Sequence, residues 1–380
     1  MVSLKLRSWG KSFRKISKIM SEYKLFSEFK LGDITLKNRV VMAPMTRSRA
    51  VEKNTANALI AEYYEQRSEA GLIITEGTSP SPNGLGYPRI PGLFNQQQVD
   101  GWRLVTEKVH EAGSKIFVQL MHTGAVGNVE NLPEGAKVLS PSGLLVSGQM
   151  YVDGKGMQDH TVPSAMTTTE VKSTIQEYIN AAKLAIEAGF DGVEIHGANG
   201  YLVEQFINPK ANQRTDEYGG SIENRSRFAI EIAQGMADAI GKGKVGIRLS
   251  PFGVFNDMGE FEGIDEQFKY IAEAMNKIGI AYIHIVDHSH MGAPEVPQRV
   301  KDIIRNNFKG AYILSGGYNK ERAENDLQAN KGELVAFGVP FIANPDLVTR
   351  MKKDIALANP DQNTFYTPGV QGYTDYPKAD

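Results

Sequence analysis

From residue 38 onward the chain alternates between short β-rich runs and amphipathic helical stretches, and it does so eight times. The predicted strands are Arg39–Ala43, Leu72–Thr75, Ile116–Leu120, Gly192–His196, Lys244–Leu249, Ala281–Val286, Ala311–Leu314 and Leu334–Phe337. Each is nearly continuous in apolar residues, as a parallel strand covered on both faces is. The stretches between them keep a helical period. Ile175, Ile179, Ala182 and Ile186 form one stripe, and Phe268, Ile271, Met275 and Ile278 another. Glycines stand where such helices should stop, at Gly113, Gly189, Gly241, Gly279, Gly310 and Gly332. A doubly wound open sheet is the competing arrangement. It announces its first βα turn with a glycine fingerprint, and no G-x-G-x-x-G follows the first run. The expected fold is therefore α/β, a single (β/α)8 TIM barrel.

Two segments fall outside the repeat. Residues 23–38 suit a short β-hairpin closing the barrel floor. Residues 122–167 join the third strand to the third helix, far longer than an ordinary connection, and long loops in compact domains are usually functional. Within them Gly143, Gly148, Gly154 and Gly156, with Val146, Tyr151 and Val152, predict a β-hairpin cap. The expected organisation is a basic extension over 1–22 followed by one barrel domain over 23–380, capped by 122–167. Residues 1–19 hold Lys5, Arg7, Lys11, Arg14, Lys15 and Lys18 and no acid. That composition reads either as an organelle targeting segment or as a disordered extension ahead of a start at Met20.

Charge and composition narrow the function. Lys and Arg number 42 against 44 Asp and Glu, a formal net charge of −2, whereas a dedicated nucleic-acid binder needs a basic surplus. The absence of cysteine excludes disulfides, thiolate metal sites and cysteine catalysis. No apolar run reaches the ~18 residues a membrane-spanning helix needs. The expected partner is a small-molecule substrate, with no nucleic acid and no membrane. The expected state is a monomer or homodimer, cytoplasmic unless residues 1–19 direct it to an organelle.

In a barrel of this kind chemistry sits at the C-terminal ends of the strands. Those ends offer Pro44-Met45-Thr46, Glu76-Gly77, Gln119 with His122, His196 with Asn199 and Tyr201, Arg248, Asp287, Gly316-Gly317 and Gly338. There is no carboxylate pair for glycoside hydrolysis and no lysine for a Schiff base. His284, His288 and His290 lie close together without an acid cluster, so packing or exposed histidines are expected rather than a metal site. The inventory suits a flat polar ring plus a phosphate. Glycines ending the last two strands commonly build a phosphate site from backbone N–H groups. Arg248 adds a fixed positive charge, and Thr46 and Gln119 can bond a heterocycle's edge. Against this stands the plainer reading of His196 and Tyr201 as polar groups satisfying the interior.

Five segments, NRVVMAPMTRSRA (38–50), QLMHTG (119–124), HGANGYLVEQFINPKANQRTDEYGGSIENRSRF (196–228), LSGGY (314–318) and FGVPFIANPDL (337–347), resemble the Old Yellow Enzyme family. In pattern they are nearest its N-ethylmaleimide reductase and 12-oxophytodienoate reductase branch. The resemblance covers about residues 23–377. It implies FMN as cofactor, NADPH as reductant, and reduction of activated C=C bonds in α,β-unsaturated carbonyl or nitro compounds. Reduction of quinones, nitroesters or nitroaromatics is the alternative, and a flavin-binding protein with little turnover is the alternative of another class. It also implies roles. Pro44, Met45 and Thr46 would line the flavin. Gly77, Gln119 and Arg248 would hold its ring and ribityl chain, and Gly316, Gly317, Gly338 and Val339 would stand at the phosphate. His196 and Asn199 would grip the substrate oxygen, Tyr201 would give the proton, and Tyr87 and Tyr366 would wall the pocket. The sequence departs from the family at Met121, usually tryptophan, at Ala125, often arginine, and at Val339, usually the arginine that pairs with the phosphate.

Overall fold

A computed structural model describes residues 23–379. The readings of residues 1–19 and 1–22 lie outside the described residues. Eight parallel strands close into a barrel: β1 Val40–Met42, β2 Leu72–Ile74, β3 Lys115–Leu120, β4 Gly192–Gly197, β5 Val245–Leu249, β6 Tyr282–Ile285, β7 Ala311–Leu314 and β8 Leu334–Phe337. β8 returns to β1 with Val335 opposite Val40 and Phe337 opposite Met42, so no strand is left at an edge. The eight expected strands are all present, with ends shifted by at most one residue. The helices α1 Ala58–Gln66, α2 Gln96–Glu111, α3 Thr168–Glu187, α4 Ile222–Ile240, α5 Ile264–Ile278, α6 Gln298–Asn307, α7 Lys320–Gln328 and α8 Leu347–Lys353 surround it. A capping box starts α3, where Thr167 and Glu170 bond each other's backbone N–H.

Alternation along the strands divides the core in two. Val40, Ile73, Val118, Ile195, Ile247, Ile283 and Val335 pack outward against the helices. Val41, Leu72, Phe117, Tyr282, Ile313 and Leu334 fill the lower barrel. Two rings fit inside only because their neighbours lack a side chain. A Cβ at Gly192 would stand 2.5 Å from the Phe117 ring, and one at Gly246 2.2 Å from the Tyr282 ring. The expected floor hairpin forms from Phe29–Leu31 and Ile34–Leu36, and Leu31 and Leu36 join the interior cluster.

Two of the six glycines do not stop helices. Gly113, Gly189, Gly241 and Gly279 adopt positive φ at helix ends, as expected. α7 instead ends ahead of Asn330, at φ +56°. A Cβ at Gly332 would press on Leu314, and one at Gly310 on the Phe308 ring, so both mark tight approaches where the chain enters a strand. The long 122–167 connection does form a cap. Gln149–Val152 pairs antiparallel with Gly156–Asp159, and Leu139–Ser140 runs beside Ser164–Ala165. Ala125, one of the departures, packs in this cap with Val126, Val146 and Met150.

Candidate active site

The alternation that fills the lower barrel with apolar side chains fills its upper part with polar ones. Gln119, Glu194, His196, Arg248 and His284 occupy inward positions of β3 to β6, and His196, Arg248 and His284 stand directly opposite one another in register. All five are buried. Glu194 is the hub: its Oε1 accepts from Gln119 Nε2 at 2.8 Å, and its Oε2 accepts from His284 Nδ1 at 2.9 Å. This fixes the Gln119 amide, which turns its oxygen away from Glu194 as an acceptor. Glu194 was not anticipated. The signal was visible: one acid in an otherwise apolar run whose neighbours Val193 and Ile195 face outward.

Above this layer opens a cavity of about 770 Å³. It brings together Pro44, Thr46, Gly77, Tyr87, Gln119, His196, Asn199, Tyr201, Arg248 and Tyr366, ten of the residues singled out from sequence. Met121 also lines it, with its sulfur 2.5 Å from where a Gly77 Cβ would stand. Met45, Gly316, Gly317, Gly338 and Val339 are not on its wall. They lie at the ends of β1, β7 and β8, and Met45 Sδ is 3.7 Å from where a Gly338 Cβ would be. Gly316 and Gly317 take φ of +113° and +61°, where a Cβ would meet Asp287 O at 2.5 Å and His290 at 2.7 Å. Only glycine serves there. Val339 is 43% exposed at the start of a short helix, Pro340–Ala343.

The catalytic candidates have defined protonation. Burial, then the Arg248 charge, hold His196 well below the ordinary histidine range. Its Nδ1 accepts the Ala198 N–H at 3.3 Å, so the neutral ring has its proton on Nε2. The His196 and Tyr201 rings meet edge to face at 5.0 Å. Tyr201 and Tyr87 hydroxyls bond each other at 2.8 Å. Burial, then the neighbouring Tyr87, push the Tyr201 phenol well above its usual range, so it keeps its proton at neutral pH. Asn199 adopts φ +58°. Its N–H donates to Ser250 Oγ at 2.8 Å, and its carbonyl accepts from Asn256 Nδ2 at 2.7 Å. Ser250 also donates toward Glu204, whose Oε2 accepts the Gly200 N–H at 2.6 Å.

The upper wall is built from three remote segments joined at Arg89. Its guanidinium donates to Ser48 O at 3.1 Å, to Tyr366 O at 2.9 Å and to Asp153 at the cap hairpin's turn. Met150, Tyr151 and Met157 of that hairpin line the cavity; Tyr151 was expected in the cap but not at the site, and neither methionine was singled out from sequence. The strap that delivers Tyr366 is held by the arginines of the 38–50 segment. Arg47 Nη2 donates to Gly372 O at 2.7 Å, and Arg49 Nη2 to Thr364 O at 2.8 Å. Glu76 accepts the N–H groups of Arg47 and Ser48, and burial lifts its carboxyl to about 7 against those bonds. Among the described residues no three His, Asp or Glu side chains converge as a metal would require. His284 is bonded to Glu194 and His288 to Asn199 Oδ1, while His290 is exposed. His284 and His288 thus serve the site's polar network rather than packing alone.

Arg248 decides what such a cavity can hold. It is buried, lines the cavity, and finds no hydrogen-bond partner for its Nε. A buried guanidinium left unpaired is costly, and an acceptor-rich heterocycle lying on the Gln119–Arg248 layer would satisfy it. The residues present therefore fit a flavin ring. Residues 24–358 match the NADH:flavin oxidoreductase / NADH oxidase family. The chain belongs to that family of FMN-dependent oxidoreductases. It is 39% identical over 357 residues to putative 12-oxophytodienoate reductase 11 of Oryza sativa subsp. japonica, covering 93% of this chain and 97% of that one. It is 38% identical over 353 residues to a probable flavin mononucleotide-dependent alkene reductase of Leishmania infantum, covering 91% and 95%. The solved structure of morphinone reductase in complex with tetrahydroNAD superposes with a TM-score of 0.88 at 40% identity, covering 94% and 98%. No helix among the described residues is long and apolar enough to cross a membrane.

Proposed function

We propose that this family member reduces the activated C=C bond of α,β-unsaturated carbonyl or nitro compounds, with NADPH as the reductant. The observation that supports this most is one cavity face. It brings the neutral His196, Asn199 and the protonated Tyr201 together with Thr46, Gly77, Gln119 and Arg248, groups suited to a flat ring. FMN, when bound there, would supply the hydride chemistry, with the nicotinamide as its source.

The chain's own residues divide the remaining work. Gln119, Arg248, Thr46 and Gly77 would hold the ring, with Arg248 donating where its acceptors carry charge. Gly316, Gly317 and Gly338 offer backbone N–H groups to the phosphate. His196 Nε2–H and the Asn199 amide donate to the substrate's oxygen, polarising the alkene and stabilising the enolate-like charge that develops. Tyr201 delivers its proton to the α-carbon, and the Tyr87 hydroxyl at 2.8 Å donates to the oxygen left behind. The cap hairpin and Tyr366 form the outer wall of the cavity and limit the water that reaches the reacting atoms.

Tyr201→Phe tests the reading. Reduction of the flavin by NADPH needs no acid from the wall, whereas saturating a C=C bond does. Alkene reduction should slow by about 10²–10⁴-fold, the usual contribution of a general acid, with the NADPH half-reaction unchanged in stopped-flow absorbance. Quinones should be affected less, because their reduced oxygens take protons from water. Equal slowing of both half-reactions would mean that Tyr201 holds geometry rather than giving the proton. A colourless protein that takes up no FMN would overturn the whole reading.

A further inference from the structure

Asn199 has its backbone pinned at both ends, but those bonds leave its side chain unsettled. Ser250 and Asn256 reach only its N–H and its carbonyl. The amide can still turn over, since a terminal amide torsion has two nearly equivalent settings. The two settings are opposite in chemistry. With the NH2 toward the cavity the residue binds a substrate oxygen; with the carbonyl there it repels one. One side chain hydrogen-bonds that amide among the described residues: His288 Nε2 lies 3.0 Å from Asn199 Oδ1.

We infer that His288 is a positioning residue that sets the Asn199 amide, donating from Nε2 to Oδ1 so that the NH2 faces the substrate oxygen. The inference rests on the role proposed above for Asn199 and extends it to a residue outside the cavity wall. His288 is itself held in place. Asp287 accepts the Ser289 N–H at 3.0 Å and Lys301 Nζ at 2.7 Å, fixing the loop after β6. The Phe255 ring stands edge-on to the imidazole at 4.8 Å. Burial, then the Arg248 charge, lower His288 to about 4, so at neutral pH it is uncharged. A neutral imidazole donates from one nitrogen only. The Nε2–H form sets the amide correctly, and the other tautomer would turn it over.

Three substitutions separate donation from bulk. Gln places an amide donor at the same reach, Leu fills the space without donating, and Glu can only accept. The readouts are the dissociation constant of cyclohexanone, a non-reducible carbonyl probe, for the oxidised FMN-loaded enzyme, and kcat/KM for 2-cyclohexenone. Flavin content and Tm serve as controls for folding. His288→Gln should stay within about twofold of wild type, His288→Leu should weaken binding about two- to fivefold, and His288→Glu by tenfold or more, the scale of one lost hydrogen bond plus an opposed dipole. In an Asn199→Ala background the three should become equal. Unchanged binding in His288→Leu and His288→Glu, with Asn199→Ala weakened, would overturn this inference and leave the reading of Asn199 standing. A loss from His288→Glu that persists in the Asn199→Ala background would also overturn it, because His288 would then act directly. Unchanged binding in Asn199→Ala would overturn both.

Discussion

Two buried groups, Arg248 and Glu204, show how single residues set this site's properties. Arg248 faces the ring site and His196 the substrate, so their losses should differ. Arg248→Ala should weaken FMN about ten- to a hundredfold, the value of a charge-assisted bond of ~1.5–3 kcal/mol, and His196→Ala should barely affect it. Fluorescence titration of the apoprotein measures both, and equal retention would contradict the assignment. Glu204 makes a stability prediction. Burial lifts its carboxyl to about 8, against ~4.3 in an unfolded chain. The folded state therefore keeps the proton where the unfolded state has lost it. This contribution to stability falls as pH rises between those values. Glu204→Gln stays neutral and can still accept the Gly200 N–H. Its stability relative to wild type should rise from pH 5 to pH 8 by an amount on the order of a few kcal/mol, read from urea unfolding at each pH. A difference that does not change with pH would show that Glu204 does not titrate in the fold.

Among the elements, the cap hairpin is held by few contacts of its own. A two-stranded ribbon is marginal alone, and Tyr151 and Met157 are 47% and 55% exposed. Its turn is tied to the barrel through Arg89 and Asp153, and Asp153 is half-exposed. A pair of that exposure is worth ~0–1 kcal/mol. Asp153→Asn should therefore leave global stability nearly unchanged. It should, however, raise amide exchange across residues 149–159, because the turn's tie to the segments that hold Ser48 and Tyr366 loses its charge. Hydrogen exchange with mass readout checks this, and an unaltered exchange pattern would show that the remaining ties, Asn131 Nδ2 to Tyr151 O and Asn128 Nδ2 to Asp159 O among them, hold the cap without it.

At the scale of the molecule, barrel closure and the C-terminal strap belong together. β8 pairs with β1, and the segment after β1 reaches the strap: Arg47 to Gly372, Arg49 to Gln371, with Arg67 of the turn after α1 reaching Tyr373. The Tyr63 and Tyr373 rings stack at 4.1 Å. These arginines are buried, and the strap carbonyls are among their acceptors. Deleting residues 361–380 would leave the buried Arg47 only the Tyr63 hydroxyl and the buried Arg49 only the Arg47 carbonyl, and would take one acceptor from Arg67; bonds to charged groups are worth ~1.5–3 kcal/mol each, against a whole-domain stability of only ~5–15 kcal/mol. The truncated chain should fail to fold cooperatively, as circular dichroism on urea titration would show. A truncated protein within ~2 kcal/mol of the full chain would refute the clamp.

The sequence by itself determined the barrel, its floor hairpin and its cap, because apolar period and turn glycines are local signals. It also determined most of the cavity wall. Residues at the C-terminal ends of parallel strands share one rim by geometry, and the motifs placed His196, Asn199, Tyr201, Gln119 and Arg248 there. Only the tertiary structure decided what those residues touch. That Glu194 fixes Gln119, that His288 meets Asn199 across 89 positions, and that Arg47 reaches Gly372 across 325 are choices of partner made by closure of the barrel. Gly310 and Gly332 show the same limit in the other direction. A glycine at a helix end and a glycine under a neighbouring side chain look alike along the chain, and only the neighbours that folding supplies tell them apart.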